Sequence, residues 1–229
     1  MKTIFIILLT IFLSIYASQD SDRNTLLGVT PLNVKGFKLF LFADSNRSSQ
    51  LQAALSVLSE NLTRLAKTTP SKQFDRLTAV PILLEYRLQT NSAMCYHKSK
   101  DWLIANSYPV EIAKCIEICN INNFLNWQKL NQPDMLLHEL AHAYHDRILG
   151  FNHQETLFAY QNAVKSKKYE NVAYNLGGRR RAYALNNVDE YFAELTEAYL
   201  GKNDYYPYNR TQLRIFDPKG YKLMQKIWD

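Results

Sequence analysis

Two kinds of hydrophobic pattern alternate through the first half of the chain. Short apolar runs predict three strands, at residues 37–42, 80–88 and 112–118, the last of them at the edge of a sheet. Between the first two strands, apolar residues recur every three or four positions over residues 51–65, which is the spacing of an amphipathic helix. The first half is therefore expected to form a small mixed sheet packed against a helix.

Helical periodicity dominates the second half. Residues 133–149 have apolar groups on nearly every side, which is typical of a buried helix. Pro133 suits the first helical position, and Gly150 marks the end of the helix. Further helices are predicted at residues 154–165, 188–200 and 220–228. The pattern as a whole predicts an α+β fold, in which the buried helix separates a mixed N-terminal part from a mainly helical C-terminal part.

The N-terminus has the layout of a secretory signal peptide. Lys2 provides a positive start, residues 4–15 are almost all apolar, and small residues precede a cleavage point after Ala17. An uncleaved membrane anchor is the alternative, but a span needs about 20 apolar residues, so we expect no stable membrane insertion once the signal is removed. We therefore predict a secreted protein with a signal peptide at 1–17, a polar N-terminal arm at 18–35 and one large domain at 36–229.

Composition and charge narrow the class of partner. The chain has 229 residues, is 47% hydrophobic and has a formal net charge of +6, which is typical of a globular protein that is mildly basic. The only dense basic cluster is at residues 179–181, so we expect no nucleic-acid partner. The sequence predicts no particular oligomeric state.

Three cysteines remain without an assigned role, namely Cys95, Cys115 and Cys119. One pair could form a disulfide and leave one thiol over. If residues 115–119 are extended, Cys115 and Cys119 lie about 13 Å apart and cannot bridge, so any disulfide would use Cys95.

Candidate chemistry is concentrated in the buried helix, which contains His138, Glu139 and His142. Helical positions four apart differ by about 40° in direction and 6 Å in height, so the two imidazoles can bind one ion. Glu139 points beside that ion and could take a proton from a water molecule whose pKa a metal lowers to about 7. The alternative is that the three polar side chains are hydrogen-bonded within a core and bind no metal. Burying them in a helix without a ligand would, however, cost desolvation free energy. The HExxH pattern thus predicts a zinc hydrolase.

A third metal ligand must come from elsewhere in the chain. His145 faces the same way as His138 but lies about 10 Å further along the helix, too far to share an ion. We predict Glu190, because Glu190, Glu194 and Glu197 share one face of an otherwise apolar helix. The alternative for Glu190 is a capping box with Asn187 as N-cap. Glu194 is expected to hydrogen-bond one of the ligand imidazoles.

These motifs resemble a known family. HELAHAYHD, followed by Tyr183-x6-Glu190-Tyr-Phe-Ala-Glu194, resembles the gluzincin metallopeptidases of the anthrax lethal factor-like type, which include small secreted Pro-Pro endopeptidases. The resemblance covers residues 136–200. It implies a zincin-like fold, one Zn²⁺ per chain on His138, His142 and Glu190, and a hydrogen bond from Tyr183 to the developing oxyanion.

The expected reaction is hydrolysis of a peptide bond in a peptide or protein substrate, with Glu139 as general base. By analogy with other zincins, the substrate would lie as an added strand along residues 114–122. Two alternatives stay open: a zinc aminopeptidase or other zinc hydrolase that does not cleave internal bonds, and a catalytically idle zinc-binding protein.

Overall fold

The computed structural model describes residues 26–42, 48–86 and 91–229. The predicted signal peptide and the first part of the polar arm lie outside the described residues. Part of the remaining arm belongs to the sheet, because strand β1 (Leu32–Val34) pairs antiparallel with strand β2 (Phe37–Leu41).

The main sheet has five strands in the order β1-β2-β3-β5-β4, with β3 at Ile82–Leu84, β4 at Cys95–Tyr96 and β5 at Ile116–Ile118. The three central strands are parallel, and the two outer strands run antiparallel to their neighbours. The prediction that residues 112–118 form an edge strand is wrong, because β4 pairs with the outer side of β5. Residues 114–122 therefore cannot accept an added strand. The two residues of β4 are too few to give a periodic signal in the sequence.

Helices cover one face of this sheet and build the larger core. They are α1 (Ser48–Thr68), α2 (Ser71–Thr78), α4 (Ile121–Leu130) and α5 (Met135–Tyr144). On the opposite face, Phe40, Leu83 and Cys115 pack against Leu103 of the short helix α3 (Lys100–Ala105). The amphipathic helix predicted at 51–65 is the central part of α1, whose Leu58, Leu62 and Leu65 are fully buried.

The C-terminal part is mainly helical, as the sequence predicts. Helix α5 continues into a π-helical turn at His145–Leu149, and Gly150 ends it with a φ of 78°. Then follow α6 (Gln154–Ser166), α7 (Val188–Leu200), α8 (Arg210–Phe216) and α9 (Pro218–Trp228). A two-stranded sheet, β6 (Val172–Ala173) with β7 (Arg179–Arg180), lies between α6 and α7. The α+β architecture is confirmed.

Helix α7 lies at the centre of this half, against α5 on one side and α9 on the other. Nine of its thirteen residues are buried, from Tyr191 to Tyr199. Gly220 of α9 makes the contact close, since a Cβ there would lie 2.5 Å from Leu195 Cδ2 and 2.7 Å from the Tyr191 hydroxyl. The position of α7 relative to α5 is thus fixed by dense packing on both sides.

No helix in the described part of the chain is both long enough and apolar enough to cross a bilayer.

Candidate metal centre

Helices α5 and α7 bring the three predicted ligands together. Glu190 Oε2 lies 3.0 Å from His138 Nε2 and 3.3 Å from His142 Nε2. One ligand atom from each of the three residues falls within 4.8 Å of the other two. The rings of His138 and His142 are nearly perpendicular, with their centroids 4.7 Å apart. Two side chains one turn apart on α5 therefore face a single carboxylate on α7.

The N-terminus of α7 positions Glu190. Asn187 is the N-cap, and its Oδ1 accepts hydrogen bonds from the backbone N–H groups of Asp189 and Glu190, both at 2.9 Å. The capping role foreseen for Asn187 is thus present, while the carboxylate of Glu190 meets the two imidazoles. Burial would raise the pKa of this carboxyl, but hydrogen bonds from His138 and His142 outweigh it and hold the pKa well below its ordinary value.

A second carboxylate supports His138 from behind. His138 Nδ1 lies 2.9 Å from Glu197 Oε2, so the ring is held between Glu190 and Glu197. Burial opposes the charged form of His138, but these carboxylates outweigh it and raise the pKa of the imidazole well above its ordinary value.

The prediction that Glu194 would make this contact is wrong. Its carboxylate instead accepts a hydrogen bond from Asn203 Nδ2 at 3.1 Å. Where α5 packs on α7, the His138 ring lies next to Glu197. This detail of helix packing cannot be read from sequence spacing alone.

Glu139, the predicted base, is held by the edge of the sheet. The backbone N–H of Tyr96 on β4 donates to Glu139 Oε2 at 2.8 Å, and the Tyr96 hydroxyl donates to Asp146 Oδ2 at 2.7 Å. Burial raises the pKa of the Glu139 carboxyl, while His142 and His138 oppose that rise. No motif points to Tyr96, since its role depends on β4 being adjacent to α5.

Tyr183 begins a 3-10 turn, Tyr183–Leu185, just before α7. Its ring centroid lies 6.3 Å from that of His138, and the side chain is 44% exposed. Partial burial raises the pKa of its hydroxyl, as does the Glu190 carboxylate. Tyr183 therefore lies at the rim of the constellation with a protonated hydroxyl, which can donate a hydrogen bond.

A cleft of about 200 Å³ opens onto Glu139, His142 and Glu190. Its other walls come from β4, from the N-terminus of α7 and from the turn after α5. They are formed by Cys95, Tyr96, Lys98, Phe151, Asn187 and Asp189. A larger cavity of about 460 Å³ between α6 and α9 is lined mostly by lysines, asparagine and aromatic residues, with no histidine. Of these two cavities, the smaller one is thus lined by the predicted base and two of the predicted metal ligands.

His145 and His97 stand apart from the cluster. His145 is fully buried, stacks on Phe192 at 4.9 Å and lies 3.5 Å from Asp189 Oδ1. His97 is also buried, with its Nε2 2.7 Å from Glu117 Oε2 on β5. Neither residue belongs to the cluster of predicted ligands.

The donor set fits a zinc ion. Zinc bonds to nitrogen and oxygen at about 2.0–2.2 Å, so two ligand atoms of a tetrahedral site lie roughly 3.3–3.5 Å apart. The 3.0 and 3.3 Å separations between Glu190 Oε2 and the imidazoles are close to that spacing. Three protein ligands beside an open cleft match a catalytic zinc site, whereas structural sites are closed by a fourth protein ligand.

Comparisons with known proteins add one structural likeness. No protein-family model matches the chain, and no curated protein matches it. Among solved structures, the Pro-Pro endopeptidase PPEP-2 from Paenibacillus alvei is similar, with a TM-score of 0.43 and 19% sequence identity. The alignment covers 83% of this chain and 96% of that chain. A likeness of this degree does not identify a family.

Proposed function

We propose that this protein is a secreted zinc-dependent metallopeptidase in which His138, His142 and Glu190 bind one zinc ion per chain. The observation that carries the proposal is the convergence of two HExxH imidazoles on one carboxylate, at 3.0 and 3.3 Å, beside an open cleft that His142 and Glu190 line. The resemblance of the motifs around residues 136–200 to the gluzincins supports the same ligand set.

The chain's own residues supply the acid–base chemistry. A bound zinc would polarise the scissile carbonyl and lower the pKa of a water molecule. Glu139 lies beside the ligand cluster, and its burial favours proton uptake, so it accepts the proton of the attacking water and passes it to the leaving amine. Tyr183 donates a hydrogen bond to the oxygen on which negative charge develops.

Strand β4 replaces residues 114–122 as the proposed docking edge for an extended substrate. Cys95 and Tyr96 line the cleft next to Glu139, and β4 is the outer strand on this side of the sheet. An added strand beside β4 would place its peptide bonds next to the metal ligands.

Metal analysis of the purified protein tests the site. We expect about one zinc per chain, and we expect Glu190→Ala to lose it because only two imidazoles would remain. Glu170→Ala is the matched control, since Glu170 is half-exposed and pairs only with Arg181 among the described residues. Full zinc occupancy in Glu190→Ala would show that the ligand assignment is wrong.

Digestion of a mixed peptide library, read by mass spectrometry, tests the reaction. Cleavage at internal bonds is expected, with Glu139→Gln slower by at least about 100-fold because it lacks the base. Removal of single N-terminal residues would favour an aminopeptidase, and no cleavage by the zinc-loaded protein would favour an idle binding protein. Undiminished cleavage by Glu139→Gln would exclude Glu139 as the base.

A further inference from the structure

Two of the three cysteines meet across the outermost pair of strands. Cys95 on β4 pairs with Glu117 on β5, and Cys119 follows Glu117 by two residues on the same face of the sheet. The ladder extends to this point, because Cys119 N–H donates to the carbonyl oxygen of Ala93 at 3.0 Å. As a result, the Sγ atoms of Cys95 and Cys119 lie only 3.4 Å apart.

Cys115 has a different environment. Its side chain is buried in the small apolar cluster with Phe40, Leu83, Leu103 and Ile112. Its Sγ is 3.9 Å from the carbonyl oxygen of Ala113. The spacing in the sequence allows Cys95 to pair with either Cys115 or Cys119. The strand register places Cys119 next to Cys95.

We propose that Cys95 and Cys119 form a disulfide that fixes the edge strand β4 to β5. The two sulfur atoms need to approach by little more than 1 Å to reach the bond length of about 2.05 Å. The oxidant we name is a small disulfide such as oxidised glutathione. Its two-electron reduction yields two thiols, while the two cysteine thiols lose two protons and two electrons to form one S–S bond.

The position of this bond gives it a consequence for the cleft. Cys95 is itself a cleft residue, and the next residue, Tyr96, donates its backbone N–H to Glu139. Strand β4 is an outer strand of the described sheet, and β5 is the strand with which it pairs. A covalent link to the central part of the sheet would keep that N–H on Glu139.

Disulfide mapping of the full chain tests the proposal. The reduced protein is incubated in a buffer of oxidised and reduced glutathione, alkylated, and digested with trypsin and with a protease that cuts after glutamate. Lys98, Lys100 and Lys114 separate Cys95 from the other two cysteines, and Glu117 separates Cys115 from Cys119. We expect a linked pair of peptides containing Cys95 and Cys119, with Cys115 alone alkylated.

Two results would overturn the proposal. One is a link from Cys95 to Cys115, and the other is alkylation of all three cysteines at every glutathione ratio. A second zinc equivalent that is lost in Cys119→Ser would also overturn it, because it would assign these thiols to a metal.

Variants provide a second readout. Against the oxidised wild type, Cys95→Ser and Cys119→Ser should each lower the Tm by roughly 5–10 °C, since the closed loop no longer restricts the unfolded chain. Cys115→Ser is the matched control and should keep the linked peptide pair. If the serine variants do not fold, mapping of the wild type still decides the question.

Cys95→Ser and Cys119→Ser should also hydrolyse peptides several-fold more slowly than Cys115→Ser. This expectation rests on the proposed peptidase function. Mapping does not depend on activity, so failure of the disulfide and failure of the peptidase proposal can be told apart.

Discussion

At the scale of single residues, Glu194 and Glu197 show how narrowly the environment of the proposed metal ligand His138 is defined. Both carboxylates lie on the same face of α7, and both have an oxygen within 4.8 Å of a His138 nitrogen and of each other. Only Glu197 makes the direct contact with Nδ1, and burial raises the pKa of the Glu197 carboxyl to about 8 although His138 opposes that rise. The partner of a ligand imidazole fixes its tautomer and orientation.

Replacing these two glutamates by glutamine gives a matched pair of variants. We expect Glu197→Gln to weaken zinc affinity by about 10- to 100-fold, because the imidazole loses the carboxylate that orients it. Glu194→Gln should change the affinity by much less, since its partner is Asn203. Competition with a chromophoric chelator measures both, and a larger loss in Glu194→Gln would contradict the assignment.

Tyr183→Phe removes one hydroxyl from the rim of the cluster. If that hydroxyl stabilises the oxyanion, kcat should fall by about 100-fold with zinc content unchanged. Tyr208→Phe is the control and should be as active as the wild type, because the Tyr208 ring packs on Tyr206, whereas the Tyr183 ring lies near His138. Equal activity of Tyr183→Phe and the wild type would remove Tyr183 from the mechanism.

At the scale of elements, the π-helical turn at the end of α5 buries the ionisable side chain of His145. The π-helical turn places His145 between Phe151 and Phe192, and neither ring nitrogen has a hydrogen-bond partner among the described residues. Burial lowers the pKa of His145 to about 4, because the charged form would lose its hydration. The turn thus favours the neutral ring.

The sign of the pH effect follows from that lowered pKa. The folded-state value is below the unfolded value of about 6.5, so the stability is fully present above pH 6.5 and decreases as pH falls toward 4. Between pH 7.5 and 4.5 the loss from His145 should be about 2–3 kcal/mol in the free energy of unfolding. His145→Phe should lack this loss, as measured by urea unfolding of the metal-free protein at both pH values. Identical losses in the variant and the wild type would contradict the prediction.

At the scale of the whole molecule, the long helices were the most predictable part. Helices α6 and α7, and α5 together with its π-helical turn, have patterns of ten residues or more, and their bounds agree with the sequence to within two residues. The two-residue strand β4 gave no pattern, so the sheet edge was misplaced. Which glutamate meets His138 and which cysteine meets Cys95 depend on helix crossing and strand register, so neither is contained in local spacing.

The proposed zinc site joins two helices from different parts of the chain, so metal should stabilise the entire fold. A ligand that binds only the native state adds about 4 kcal/mol at a concentration 1,000 times its Kd. For a chain of this size we expect chelation to lower the Tm by roughly 10 °C. Thermal unfolding monitored by circular dichroism, with and without a chelator, measures this shift. Glu190→Ala should show no response to the chelator. An equal shift in that variant would mean that the stabilising ion is bound elsewhere.

Gly220 has no side chain, and it is there that α9 presses on Leu195 and Tyr191 of α7. A larger residue would press on the ends of the Leu195 and Tyr191 side chains, and on the Asp217 carboxylate that accepts a hydrogen bond from the Tyr191 hydroxyl. The packing of α7, which carries the proposed ligand Glu190, thus depends in part on the C-terminal helix. A random screen for chains that fold but no longer retain zinc should therefore return changes at position 220 as well as in the HELAH segment.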